Sequence, residues 1–318
     1  MEATLPVQPH SAAPAFPPSA LVELARAAVA EWCGAGASVA HVSTLGQSDV
    51  SAAVLITLAH RSRRLVLKIA APYPATLVDF ARTAAAMSLA RDAGVPVPES
   101  LGVDSSRRLS PWQCLLLEHV PGLEWFRVRP QLDQARAHDC SQQIAAAVLA
   151  VQSVRLASFG ELDRSGQPAP TDLVTALRHR AERIADLRRR DLFLGVLDRD
   201  SELFEGPSAA TLSHDDLHPG NLVWRRDPAG WRLAAVIDWD KAWAGPTESD
   251  VARLSFWDGM TGPGFWEAYR AAVPEADREQ ERALIYQLLW CLEYEVRTPR
   301  HLEDTARLCR RLGLVEPA

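Results

Sequence analysis

The sequence predicts an α+β protein in two parts, a small antiparallel-sheet region followed by a larger, mainly helical one. Three observations carry this reading. Strand-like segments joined by short polar turns crowd residues 41–70, and helical periodicity takes over from about residue 132. Between later helical stretches lies a polar loop, 212–224, which leads through a short hairpin to Val236-Ile-Asp-Trp-Asp240. With 318 residues the chain is long enough for two lobes, each with its own core. The net charge of −6 argues against a nucleic-acid partner and fits a cationic or neutral small molecule. Five cysteines, an odd number with no Cys-x-x-Cys pair, read as buried thiols in a reducing compartment. No apolar run reaches the ~18 residues of a membrane span. The N-terminus lacks the basic start and apolar core of a signal peptide, so the expected location is the cytoplasm.

Residues 1–18 are rich in Pro and Ala without periodicity and are expected to form a disordered leader. A helix follows over about 19–33, with Leu21, Leu24, Ala28 and Trp32 on one face and Gly34 as its stop. Two strands, 41–44 and 50–58, are joined by the turn 45–49, and Arg61-Ser-Arg-Arg64 turns the chain into a third strand over 65–70. On that strand Leu65, Leu67 and Ile69 face one side, and Val66, Lys68 and Ala70 the other. The chain holds only two lysines, Lys68 and Lys241, among many arginines. A compact ammonium on a half-buried strand needs a partner, which nucleotide phosphates would supply. The alternative for Lys68 is a charge that blunts an edge strand.

A second helix is expected over 77–93, opened by the capping box Thr76-x-x-Asp79 and closed by Gly94 and two prolines. An apolar strand runs over 112–120, then helices over about 135–154 and 171–190, the latter rich in Arg and Glu and read as a solvated face. Asp227-Pro-Ala-Gly230 marks a hairpin turn. The last ~65 residues are helical and aromatic, with Trp257, Trp266, Tyr269, Tyr286, Trp290 and Tyr294 expected mainly in the core. Asp258, Glu293 and Glu295, interspersed among them, would suit an amine-bearing substrate.

The polar loop carries the chemistry. In Leu212-Ser-His-Asp-Asp-Leu-His-Pro-Gly-Asn-Leu-Val-Trp224, Asp216 and Asn221 stand five residues apart, and Asp238 ends the apolar strand that follows. Pro219-Gly220 forbids a helix there and favours a turn. Phosphoryl transfer needs this set: a carboxylate for the hydroxyl proton, and an Asn and an Asp to hold magnesium. A polar surface turn before a hairpin would explain Pro-Gly but not the joint spacing.

The motif His214-Asp215-Asp216-Leu217-His218-Pro219-Gly220-Asn221, with Ile237-Asp238-Trp239, resembles the catalytic loop and metal-binding aspartate of the aminoglycoside phosphotransferase and choline kinase family. The resemblance implies a bilobal, protein-kinase-like fold with a nucleotide-binding N-lobe (19–121) and a C-lobe (122–318) holding the catalytic loop, metal site and acceptor helices. It implies ATP and Mg2+ as cofactors and a small-molecule hydroxyl acceptor, aminoglycoside-, choline- or sugar-like. Asp216 would accept or orient the acceptor proton, and Asn221 and Asp238 would ligate magnesium. Lys68 would hold the phosphates, with the turn Gly46-Gln47-Ser48 covering them through backbone N–H groups. The Glu118 C=O and Val120 N–H would read adenine at the hinge. His218 stands where protein kinases carry a phosphate-contacting lysine, though a loop-bracing hydrogen bond fits it equally. His214 is read as structural, and Asp250 as an N-cap or brace of the loop. Asp240 is either a helper at the metal or a polar strand end.

Two departures stand out. Where the family places a Glu in the second helix to pair with the lysine, this chain reads Arg82-Thr83-Ala84-Ala85-Ala86, so either Asp79 reaches Lys68 or phosphates alone position it. Asp215 also replaces the family's Gly. They support an alternative: a nucleotide-binding pseudokinase or regulatory protein without turnover.

Overall fold

A computed structural model describes residues 16–34, 36–60, 62–72, 77–205, 209–294 and 298–315. Its internal contacts divide the chain into two units, Met1–Phe80 with Glu99–His119, and Ala81–Pro98 with Val120–Ala318. The sequence reading makes one cut near 121; by contacts, the segment 81–98 goes with the second unit.

The first unit is helix α1 (Pro18–Cys33) packed on a five-stranded antiparallel sheet. Its strands are β1 (Val39–Gln47), β2 (Ser51–Leu58), β3 (Arg64–Ala70), β4 (Ser100–Asp104) and β5 (Gln113–Glu118), in the order β1-β2-β3-β5-β4. Alternation on the interior strands sets the core. Val54, Ile56, Leu65, Leu67, Ile69, Cys114 and Leu116 point inward and pack with Leu21, Leu24, Ala25, Ala28 and Val29 of α1. Gly34, at φ 81°, ends the helix in a conformation that glycine adopts without strain. Gly102 makes a tighter demand, since a Cβ there would lie 2.1 Å from the Trp32 ring.

Three expectations for this unit change. Phe16, placed in the leader by composition, is buried and packs on Trp112 with ring centroids 5.1 Å apart. β1 runs on through Gly46 and Gln47, so only Ser48 of the expected phosphate-covering turn lies in the bend, where its Oγ accepts from the Val50 and Ser51 amides. β3 is an interior strand between β2 and β5, which removes the edge-strand account of Lys68. β4 was not foreseen, since five residues interrupted by Gly102 carry little strand signal.

The second unit contains helix α2 (Phe80–Asp92), apart from its first residue, and the rest of the chain. α2 starts three residues later than expected, where the Gln113 side chain accepts from the Phe80 amide at 3.0 Å; Thr76 lies outside the described residues. Then come β6 (Leu123–Glu124), α3 (Trp125–Val128), α4 (Gln134–Ser153), β7 (Gly160–Glu161), α5 (Leu173–Ala181) and α6 (Leu187–Arg199). β8 (Ala210–Ser213), β9 (Leu222–Asp227), β10 (Gly230–Val236) and β11 (Trp243–Pro246) follow. Helices α7 (Ser249–Leu254), α8 (Pro263–Ala272), α9 (Glu279–Glu293) and α10 (Pro299–Arg311) complete it. Two three-stranded sheets, β10-β9-β6 and β7-β11-β8, carry the loop 214–221 between them. The β9–β10 turn closes as expected, with the Asp227 carboxylate accepting from the Ala229 and Gly230 amides.

The helix expected over 171–190 is two helices. Asp172 caps α5 and Asp186 caps α6 by accepting first-turn amides, and Ile184 is buried between them. Nor is this a solvated face: the Arg180 side chain is only 1% exposed. All five cysteines are free thiols, four of them buried. Among the described residues, no helix is long and apolar enough to cross a membrane.

Candidate active site

β8 and β11 pair antiparallel, with Ser213 opposite Trp243, so the chain leaves β8 into the loop beside the start of α7. Ser213 and Ser249 share a hydroxyl hydrogen bond of 2.9 Å there. The Asp250 carboxylate accepts from the His214 amide at 2.9 Å and the Asp215 amide at 2.8 Å. Asp250 is therefore the loop brace; the N-cap position belongs to Glu248. The buried His214 ring accepts from the Asp216 amide through Nδ1 at 3.1 Å, so Nε2 carries the proton and donates to the Ile237 carbonyl at 2.9 Å. Burial pushes the ring's pKa down and keeps it neutral, as this two-way bond requires.

Asp215 has a left-handed backbone, φ 58°, which accounts for a glycine at that place in the family motif. Its carboxylate pairs with Arg180. Asp216 then turns toward Arg253, whose guanidinium lies 2.5 Å from Oδ1, stacks on the Trp290 ring and reaches the Tyr294 hydroxyl at 3.3 Å. Burial pushes the Asp216 carboxyl up, but Lys241 and Arg253 outweigh it and hold it below the usual carboxylate range. Lys241 is itself paired with Glu293 at 3.4 Å; burial pulls its ammonium down, while Asp216 and Glu293 more than restore it. The result is an ionised Asp216 with a fixed orientation.

His218 accepts from the Gly220 amide through Nδ1 at 3.0 Å, and burial pushes its pKa down. The bracing bond expected of it is present, and Nε2 is left for other use. A Cβ on Gly220 would fall 2.8 Å from that ring. Asn221 donates its side-chain NH2 to the Asp216 carbonyl at 2.9 Å, and its own carbonyl accepts from the Ile237 amide at 3.0 Å. That second bond brings Asp238 alongside Asn221, with φ 69° and an exposed carboxylate. Asn221 thus offers its amide oxygen, and an amide oxygen beside a carboxylate suits magnesium, which takes its remaining ligands from phosphate and water. Among the described residues, no three His, Cys, Asp or Glu side chains are grouped as a metal cage. Asp240 accepts from the Thr83 hydroxyl at 3.1 Å.

Hydrogen bonds thus link Asp216, His218 and Asn221, and the Ile237 amide bond to Asn221 sets Asp238 next to them, all within the second unit, which also holds Val120. The remaining expected residues lie in the first unit. Gly46, Ala53 and Lys68 form one row across β1, β2 and β3. The Lys68 ammonium stands 5.7 Å from the Phe80 ring centroid. Glu118 ends β5, its amide donating to the Glu99 carbonyl at 2.9 Å and its carboxylate 3.5 Å from Arg63.

Sequence reasoning missed Arg253, Arg180 and Glu161. Arg253 is three residues after Asp250 on α7, the spacing that puts two side chains on one helix face, and that was its only signal. Of the C-terminal aromatics, Tyr269, Tyr286 and Trp290 are buried, and Trp290 also backs Arg253. Asp258 is exposed, and Glu295 lies outside the described residues.

Glu161 collects three arginines: Arg180 at 2.7 Å, Arg183 at 3.0 Å and Arg82 at 3.2 Å. Burial pushes its carboxyl up, but the three cations together hold it below the usual range. A depressed carboxyl contributes stability that is present above the unfolded-state pKa, ~4.3, and lost as pH falls through the lower folded value. Acid unfolding of Glu161→Gln should therefore show a shallower loss of stability below about pH 4.5 than the unsubstituted chain. Parallel acid-unfolding curves from circular dichroism would contradict that.

This fold and loop define a small-molecule phosphotransferase. A family profile for the phosphotransferase enzyme family matches residues 44–284, and the chain belongs to that family. Among solved structures it is similar to aminoglycoside phosphotransferase APH(4)-Ia, with a TM-score of 0.65 and 18% identity, covering 92% of this chain and 97% of that one. A thermostable mutant of that enzyme was solved as a ternary complex with ADP and hygromycin B. A putative aminoglycoside phosphotransferase from Ralstonia eutropha gives 0.61 and 12% over 91% of this chain and 95% of its own. An ethanolamine kinase from Plasmodium vivax gives 0.56 and 12% over 85% and 82%. The two units therefore form a kinase-like α+β fold. No curated protein matches the chain.

Proposed function

We propose that the protein transfers the γ-phosphoryl group of ATP, with magnesium, to a hydroxyl of a small cytoplasmic alcohol of the aminoglycoside, choline or sugar type. The observation that carries this is the hydrogen-bonded placement of Asp216 and Asn221 on one loop, with the bond from the Ile237 amide to the Asn221 carbonyl setting Asp238 beside them. The Asp216 carboxylate receives and orients the acceptor hydroxyl. Its low basicity suits a loose transition state, in which positioning matters more than early proton removal. Asn221 and Asp238 would hold magnesium, which would supply positive charge against the phosphates. His218 directs Nε2 at the group in transfer, while Lys68 and the backbone at Gly46, Gln47 and Ser48 hold the phosphates. The Glu118 carbonyl and Val120 amide take the adenine edge.

The net charge of −6 and the amine-bearing ligands in similar structures, hygromycin B, kanamycin and gentamicin, support a cationic acceptor. Of the two departures behind the reading without turnover, Asp215 is accounted for, since it adopts the backbone conformation a glycine would; the absence of a Glu from the stretch 82–86 stands.

Lys68→Met keeps the length of the stem and removes the ammonium with its charge. Since a charge-assisted contact contributes ~1.5–3 kcal/mol, kcat/KM for ATP should fall roughly ten- to hundredfold with little change in Tm. An unchanged kcat/KM would remove Lys68 from the nucleotide site. The function as a whole is tested by offering ATP and magnesium with a panel of aminoglycosides, amino alcohols and sugars and measuring phosphorylated product.

A further inference from the structure

We propose that Glu161 is a positioning residue that locks α2 to the catalytic loop, so that the placement of α2 and the geometry around Asp216 are set together; the inference rests on the phosphotransferase reading. Three ties hold the α2 segment within the second unit. Arg82 pairs with Glu161 at 3.2 Å, and the Thr83 hydroxyl donates to Asp240 at 3.1 Å. The Pro96 carbonyl, just after the helix, accepts from the Val236 amide at 2.7 Å, two residues before Asp238.

On its other side Glu161 binds Arg180 at 2.7 Å, and Arg180 passes the contact to Asp215, the residue before Asp216. Arg180 is 1% exposed, lies 4.3 Å over the Trp243 ring and reaches the Lys241 carbonyl at 3.4 Å. A buried guanidinium is strongly destabilised when one partner is lost, so it cannot release either carboxylate freely. The chain Arg82–Glu161–Arg180–Asp215 therefore transmits displacement of α2 to the loop. In this protein the stretch 82–86, where the family resemblance places a glutamate, has none and begins with Arg82, which fixes the helix from the catalytic-loop side.

The test combines Arg82→Met with Asp215→Gly, two residues linked through Glu161 and Arg180. Glycine suits φ 58° at position 215, so that variant adds no backbone strain. Coupled residues depart from additivity, and kcat of the double variant should differ about threefold or more from the product of the single effects, with KM for ATP within about twofold. Arg82→Lys, which keeps the charge, should restore kcat. Amide exchange on the full chain without ligands gives a readout independent of chemistry: Arg82→Met should speed exchange of the 214–221 amides about tenfold and leave the β9–β10 hairpin unchanged. Unchanged loop exchange in Arg82→Met, or purely multiplicative effects on kcat, would overturn the proposal. If no acceptor is phosphorylated, the function reading fails while the exchange result still decides whether α2 and the loop are tied.

Discussion

Asp216→Asn should lower kcat by about 10²–10⁴-fold, or ~3–5 kcal/mol of barrier, while ATP affinity stays nearly unchanged. Asparagine keeps the volume and a carbonyl oxygen but cannot hold the negative charge that orients the acceptor hydroxyl. The same change also removes the partner of Arg253, whose side chain is 3% exposed and stacked on Trp290. Breaking a buried pair from one side costs about 3–5 kcal/mol when no other partner remains. Here the Asn carbonyl and the Tyr294 hydroxyl still face the guanidinium, so the stability loss should fall well below that range, and Tm should be recorded beside kcat. A folded Asp216→Asn variant with normal turnover would remove the loop from the chemistry.

Asp238→Ala should abolish transfer within detection and leave the fold intact. Asp238 is exposed and lies outside the core, and the function proposed for it is to hold the metal that would carry charge against the phosphates. Alanine in the left-handed conformation keeps some strain, and Asp238→Gly provides a control without it. Asn221→Ala should act more mildly, weakening magnesium–nucleotide binding with partial recovery at high magnesium. Turnover that survives in both Asp238 variants would show that the metal is held elsewhere.

The sequence made the site's centre legible because that centre is local. His214, Asp216, His218 and Asn221 lie on eight consecutive residues, and loop spacing alone puts their groups within reach of one another. Period-two alternation identified the faces of β3, and the Asp227–Gly230 turn fixed the hairpin that delivers Asp238. What stayed hidden depends on partners distant in the chain. Arg180 sits on a helix that reads as solvated, because periodicity carries no information about Glu161, 19 residues earlier, or Asp215, 35 later. Arg253 and Asp216 are separated by 37 residues and meet only because β8 and β11 pair. The break between α5 and α6 was obscured by continuous arginine-rich polarity, though Asp186 is an ordinary capping residue.

The central claim is phosphoryl transfer to a small-molecule hydroxyl, and the measurement that tests it most directly follows γ-labelled ATP with magnesium across a panel of alcohols. The account predicts labelled phosphate on at least one acceptor, at a rate that Asp216→Asn reduces at least a hundredfold. Label that passes to no acceptor, in a protein whose melting temperature rises with ATP and magnesium, would contradict it and leave a nucleotide-binding protein without turnover.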